Sequence, residues 1–352
     1  MNSVLLEDFN YISNSDMNFE KLRDKVIMIT GATGLIGSLL VKSMLFCDKE
    51  HNLNLKIVAL VRNKNKVNDI YNEYQGDSRL SFKYVDLLVD EIKVKEKIDY
   101  IIHTAAITNS KYMVTYPVDT INTSIVSTNK LLKFAVDNNV QSFVYVSSME
   151  VYGTLNKETK TTESDLGFVD LFNVRSSYPE SKRMCECMAV SYAEQYGLNV
   201  KIARLAQTFG AGILKNENRV FAQFARSVIN KNDIVLHTTG KSEGNYVYTR
   251  DAMIALLKIL LEGNSSAAYN VSNEKCHTTI CNMAKLVAEK IANNEINVVF
   301  DIPEDNKKFG YAADTKMWLS SEKLQGLGWR PSVNLVDSYK RMIMYMNEEN
   351  II

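Results

Sequence analysis

Val26-Ile27-Met28-Ile29-Thr30-Gly31-Ala32-Thr33-Gly34-Leu35-Ile36-Gly37 is the stretch whose reading decides the fold. Its opening apolar run reads as a strand buried on both faces. Glycines three residues apart follow, and then an apolar segment of helical length, Leu35–Phe46. Such a strand–turn–helix lets the backbone approach a pyrophosphate closely. The helix then offers unpaired N–H groups and the positive end of its dipole. Gly31, Thr33, Gly34, Leu35, Ile36 and Gly37 are therefore candidate dinucleotide contacts. The spacing is GxxGxxG, which differs from the GxGxxG fingerprint.

Working outward, short β-branched runs at Lys56–Val61, Ser81–Val85, Tyr100–His103 and Ser142–Ser147 alternate with helical stretches near Val67–Tyr74 and Ile125–Val136. Alternation of this kind implies crossover connections and a doubly wound parallel sheet, an α/β Rossmann fold. A long helix over Ser177–Tyr196 and a sixth strand at Val200–Ala203 extend it. Beyond Arg204 the order loosens, with helices near Val220–Asn230, Asp251–Leu261 and Thr279–Asn293, short strands near Ile234–His237 and Ala268–Val271, and a last amphipathic helix after Gly328-Trp329-Arg330-Pro331. The expected organisation is a dinucleotide-binding domain over 1–205 with a returning segment near 234–272. Residues 206–233 and 273–352 then form a smaller substrate lobe, interleaved in sequence.

Charge and cysteine content narrow the functional classes. Lys+Arg and Asp+Glu balance at 41 each, so the basic surplus of a nucleic-acid binder is missing. No apolar stretch reaches the roughly 20 residues of a membrane helix, and the N-terminus lacks a signal-peptide pattern. The cysteines Cys47, Cys185, Cys187, Cys276 and Cys281 form no CxxC pair, which fits free thiols in a reducing, cytoplasmic setting. None of His51, His103, His237 and His277 has zinc-site spacing, so no protein metal site is expected.

The second strand ends in Val61-Arg62, with no acid to hold a ribose 2′-hydroxyl; the Arg62 guanidinium suits a 2′-phosphate. NADP(H) is thus the favoured cofactor, with NAD(H) as the alternative. Tyr178-Pro179-Glu180-Ser181-Lys182 sets a phenol and an ammonium four residues apart, on one face of a helix. A phenol whose pKa is lowered by a nearby cation can exchange a proton with a sugar oxygen while hydride moves at the attached carbon. Upstream, Ser147-Ser148-Met149-Glu150-Val151-Tyr152-Gly153 leaves the fifth strand.

Together these elements resemble the extended short-chain dehydrogenase/reductase family, in particular members acting on sugar nucleotides, which carry a TGATGxIGS-like turn. The resemblance makes Tyr178, Lys182 and Ser148 catalytic and Glu150 a candidate base. It also places Asp86-Leu87 near the adenine and Ala105, in His103-Thr104-Ala105-Ala106, beside the cofactor. Asn173-Val174-Arg175-Ser176-Ser177-Tyr178 looks like a segment of UDP-glucuronate decarboxylases, as does Arg204-Leu205-Ala206-Gln207-Thr208-Phe209-Gly210 with Arg219-Val220. Gln207 and Arg219 are implied substrate contacts. Two arginines of that subgroup fall on Gly212 and Gly244, which argues against decarboxylation. An asparagine of the family's fourth helix falls on Ser124, with Asn122 two residues away, so that role is unassigned.

Dehydratases of the family place an acid where Met149 stands, and methionine cannot donate a proton. With Arg62, this favours an NADP(H)-dependent reductase of a nucleotide-linked 4-keto sugar, such as a dTDP-4-dehydro-6-deoxyhexose, in capsule or O-antigen synthesis. A C4-epimerase or 4,6-dehydratase is the alternative, and a catalytically idle cofactor sensor a third. The expected partner is a nucleotide-diphosphate sugar. Met184–Tyr192 is apolar enough to pack within the chain or against a second copy, and the resemblance implies a homodimer.

Overall fold

The computed structural model describes residues 1–302 and 316–351. In chain order the elements are α1 (Ser3–Ser13), β1 (Val26–Thr30), α2 (Leu35–His51), β2 (Lys56–Val61), α3 (Lys64–Ile70), β3 (Leu80–Tyr84), β4 (Tyr100–His103), α4 (Ser110–Thr115), α5 (Pro117–Asp137), β5 (Ser142–Ser148), α6 (Ser177–Tyr196) and β6 (Val200–Leu205). The second half adds β7 (Gln207–Phe209), α7 (Val220–Ile229), β8 (Ile234–Leu236), β9 (Glu243–Tyr248), α8 (Thr249–Glu262), β10 (Ala267–Val271), β11 (Asn273–Thr279), α9 (Ile280–Lys290), β12 (Val298–Phe300), α10 (Glu322–Gln325) and α11 (Leu335–Glu348).

Seven strands form one parallel sheet in the order β10-β6-β5-β4-β1-β2-β3. This is the Rossmann-like α/β architecture expected from the sequence. Both faces are covered. Ile27 and Ile29 of β1 point into one apolar core together with α2 and α8, whereas Met28 points into a second core with α5 and α6. That two-sided burial explains why β1 reads as an unbroken apolar run. The strand order reverses between β1 and β4, and a crevice opens outside their carboxyl ends, as it does in open sheets of this class.

The chain after β6 builds two smaller sheets, β11-β9-β7 and β12-β8. The returning segment expected near 234–272 is therefore shorter than the sequence suggested. Ile234–Leu236 pairs with Val298–Phe300, and Glu243–Tyr248 pairs with β7 and β11. Only α8 and β10 come back to the large sheet. The physical reason is visible in β8, whose Val235 is 44% exposed: a short run of β-branched residues serves a half-exposed ribbon as well as a buried sheet. Of the lobe expected over 273–352, residues 303–315 and 352 lie outside the described residues.

Other departures are local. The helix expected over Val67–Tyr74 starts earlier, at Lys64, because the Asn63 side chain caps it, accepting from the Asn65 and Lys66 amides. The helix expected at Ile125–Val136 starts at Pro117, a residue suited to a first helical position. Helix α1 was not anticipated; Asn2 caps it and it buries Val4, Leu5, Phe9 and Ile12. No described helix is long and apolar enough to cross a membrane.

Candidate active site

A cavity of about 850 Å³ begins at the carboxyl ends of β1 and β4. Gly31 forms its floor at φ 64°, and a Cβ there would lie 2.7 Å from Thr104 Oγ1 and 2.8 Å from Ala105. A Cβ at Gly37 would lie 2.3 Å from the Gly31 carbonyl, so only glycine lets α2 pack this closely on the turn. Gly34 is the N-cap of α2 and no side chain caps the helix, which leaves its first amide donors to a ligand. Thr33, Leu35 and Ile36 line the same end. An uncapped 17-residue helix over a glycine floor fits a dinucleotide pyrophosphate.

Arg62 reaches the cavity from the end of β2, Lys66 from α3, Asp86 and Leu87 from the end of β3, and Ala105 from the end of β4. Arg62 is exposed at the rim. Asp86 also holds its own turn, with Oδ1 accepting from the Leu88 amide at 3.0 Å. From α5 the cavity meets Thr123 and Ser127, and neither Asn122 nor Ser124 lines it. Ser124 is buried and its carbonyl accepts from Cys185 Sγ, so the asparagine role has no holder at either residue.

At the other end, Tyr178 and Lys182 project from α6 one turn apart, and Ser148 ends β5 beside them. The Ser148 hydroxyl lies close enough to the Tyr178 phenol to pull its pKa down. Lys182 Nζ donates to the Val146 carbonyl at 2.8 Å and lies 5.9 Å from the Tyr178 ring centroid. Burial lowers its pKa to about 8. The phenol goes the other way from what the sequence suggested. Burial first, and then the charge of Glu150, push Tyr178 up to about 12, against the Ser148 hydroxyl and the cations Arg175 and Arg219. Desolvation of a buried phenol outweighs the help of surrounding cations.

Glu150 sits in the 3₁₀ turn Met149–Tyr152, which the Ser148 hydroxyl caps at 3.2 Å. Its carboxylate meets Arg175 Nη2 at 3.0 and 2.9 Å. Sequence reasoning did not single out Arg175, although it stands three residues before Tyr178. Gln207 lines the cavity, as does Arg219, which forms a fork with Glu217 through Nε at 2.9 Å and Nη2 at 2.5 Å. Glu217 is a second partner that the motifs did not reveal.

The two glycines standing in for arginines differ. At Gly212 φ is 89° and a Cβ would lie 2.5 Å from Leu39, so a larger residue is barred by the backbone and its packing. At Gly244 a Cβ would meet Met149 Cε at 3.9 Å, an ordinary contact, so a side chain is not excluded there. Behind the site, Ser147 Oγ donates to Glu186 at 2.5 Å, and Arg204 grips both Glu186 oxygens, with Nη2 at 2.7 Å. Arg204 Nη1 reaches Tyr152 at 3.1 Å, and Tyr152 donates to Asn270 at 2.6 Å. This buried network ties β5, β6, β10 and α6 together just below Ser148.

A sequence profile of the NAD dependent epimerase/dehydratase family matches residues 27–272. This chain belongs to that family. The resemblance drawn from the glycine turn and the Tyr178 segment is thereby borne out. Among similar proteins, the dTDP-D-glucose 4,6-dehydratase of Bos taurus is 27% identical over 339 residues, covering 92% of this chain and 89% of its own. UDP-glucuronic acid decarboxylase 6 of Arabidopsis thaliana is 28% identical over 310 residues, covering 88% and 85%. Of solved structures, the UDP-glucose 4-epimerase of Thermotoga maritima superposes with a TM-score of 0.76 at 21% identity, covering 92% of this chain and 99% of its own. The dTDP-glucose 4,6-dehydratase of Streptomyces venezuelae, solved with NAD bound, gives 0.73 at 21% identity, covering 92% and 98%. These two likenesses bear on the fold, and family membership rests on the match to residues 27–272.

Proposed function

We propose that this chain carries out reversible oxidation and reduction at a ring carbon of a nucleoside-diphosphate sugar, as a C4-type epimerase. The observation that carries the reading is the convergence of Tyr178, Ser148 and Lys182 on the cavity that starts at Gly31. When bound, a nicotinamide dinucleotide supplies the ring carbon that accepts and returns a hydride. Tyr178 takes the proton of the sugar hydroxyl as its carbon becomes a carbonyl, and gives it back on reduction. Ser148 hydrogen-bonds that oxygen throughout. The Lys182 charge, fixed at the Val146 carbonyl, favours the deprotonated phenol once the site is filled.

Side chains disfavour the family's other reactions. Met149 offers no proton for loss of water, and Glu150 already shares its carboxylate with Arg175. Glycines at 212 and 244 remove cations that would hold a substrate carboxylate. Met149 and Gly244 both line the cavity and bring no charge to it. Relatives named as 4,6-dehydratases and UDP-glucuronic acid decarboxylases support a sugar nucleotide as substrate.

A second reading, a reductase of a 4-keto sugar nucleotide, is favoured by Arg62, whose position suits the 2′-phosphate of NADP(H). On either reading, residues 1–205 with α8 and β10 hold the dinucleotide, and the remaining chain holds the sugar. Arg219 then exchanges Glu217 for the diphosphate. Homodimerisation through α5 and α6 is supported by Ile121, Val126, Met184 and Val190, all exposed on that helix pair.

Purified protein is incubated with UDP- and dTDP-hexoses and their 4-keto forms, with NAD(H) or NADP(H), while products are followed by NMR and the nicotinamide by absorbance. The epimerase reading expects a new stereoisomer with no net cofactor change. Stoichiometric loss of NADPH on a 4-keto sugar moves the assignment to the reductase. Full turnover by Tyr178→Phe sinks both.

A further inference from the structure

We propose that Arg175 is a positioning residue of the acid/base centre: it clamps the Glu150 carboxylate at the cavity wall and offsets that negative charge beside the Tyr178 phenol. The inference rests on Tyr178 being the proton-exchanging group of the proposed function. Arg175 does not line the cavity itself, so it acts through Glu150, which does. One nitrogen, Nη2, spans both carboxylate oxygens at 3.0 and 2.9 Å. The guanidinium carbon lies 5.7 Å from the Tyr178 ring centroid, within reach of a cation–π attraction.

The placement is built rather than incidental. Arg175 rides on the 3₁₀ turn Val174–Ser176 that leads directly into α6. Asn173 Oδ1 accepts from its amide at 3.0 Å, and Ser176 Oγ ties the turn to the Asp170 carbonyl at 2.6 Å. Nη1 of the Arg175 guanidinium is buried without a hydrogen-bond partner among the described residues, so the Glu150 contact carries the polar attachment of this side chain. Among the described residues, its one ion partner is the acid that borders the reacting phenol.

Several charges act on Tyr178. Glu150 follows β5, Arg175 precedes α6, and Arg219 opens α7. Lys182 lies one turn along α6, and the phenol of Tyr145 packs from β5. Glu150 opposes ionisation of the phenol, and Arg175 and Arg219 favour it. Arg219 is already forked to Glu217. Arg175 is thus the counter-charge specific to Glu150. Removing it exposes Tyr178 to an unbalanced carboxylate, whereas removing Glu150 does the reverse.

The test uses full-length protein with fluorotyrosine placed at position 178, so that its fluorine resonance reports ionisation without turnover. Arg175→Met is expected to raise the titration midpoint by about one pH unit, a tenfold fall in ionised fraction at fixed pH below it. Glu150→Gln is expected to lower it, the double variant to return near the parent, and Arg175→Lys to stay close to it. In the unlabelled variants the pH dependence of kcat moves in the same directions, while KM for the sugar nucleotide rises for Glu150→Gln. Shifts of the same sign in Arg175→Met and Glu150→Gln, or no shift in either, overturn the proposal. If Arg175→Met does not fold, Glu150→Gln and Arg175→Lys decide it: an unmoved midpoint in the first, or a raised one in the second, overturns it. Full turnover by Tyr178→Phe would instead remove the functional reading, an outcome the fluorine titration does not depend on.

Discussion

At the scale of single residues, the chemistry of the site is short-range in sequence on one side and long-range on the other. Tyr178 and Lys182 could be paired from the sequence because helical spacing brings them to one face. Arg175 could not, since its partner Glu150 lies 25 positions away and only packing joins them. Tyr178→Phe should lower turnover by about 10²–10⁴-fold with dinucleotide binding retained, as stopped-flow assays and cofactor titration would show. Glu186→Ala would leave Arg204 buried without its carboxylate, and a cost of about 3–5 kcal/mol is expected from urea unfolding. The direction of the Tyr178 shift was also illegible in sequence, because enclosure is a property of the whole pocket and a lysine four residues on is only one contribution to it.

Among elements, β6 carries a testable oddity. Lys201 is buried in that strand, with Nζ held by the Ser142 hydroxyl at 2.7 Å, and burial lowers its pKa to about 8 from the ordinary 10.5. The unfolded chain therefore binds the extra proton between those values, so Lys201 makes stability rise with pH through that window. Its cost is fully present below pH 8. Lys201→Met should abolish this rise and stabilise the protein at neutral pH by roughly 1–3 kcal/mol, measurable by urea denaturation at several pH values. The large-sheet strands were readable because burial on both faces leaves unbroken apolar runs. Strands β7, β9 and β11 were not, because a three-residue strand such as Gln207–Phe209 has no period, and Asn273–Thr279 is largely polar.

For the whole molecule, the N-terminal helix is clasped to the C-terminal one. Asp8 is buried and accepts from Tyr248 at 2.7 Å, Arg341 at 2.9 Å and Arg250 at 3.2 Å, joining α1, β9, α8 and α11. Asp8→Ala should cost about 3–5 kcal/mol and lower the melting temperature, because two cations lose their shared buried anion. A dinucleotide at about a hundred times its Kd should raise stability by about 2.7 kcal/mol. Arg62→Ala should remove that gain more from NADP(H) than from NAD(H), and equal thermal shifts with both cofactors would end the case for a 2′-phosphate site.

By itself, the sequence determined the parallel sheet, the glycine turn and the Tyr178–Lys182 face, since each follows from periodicity or spacing over at most a helix length. Tertiary structure alone decided where β8 and β9 pair, that Glu150 is held by Arg175, and that Tyr178 titrates high. Those outcomes depend on which distant segments share a burial environment, and no local pattern encodes that.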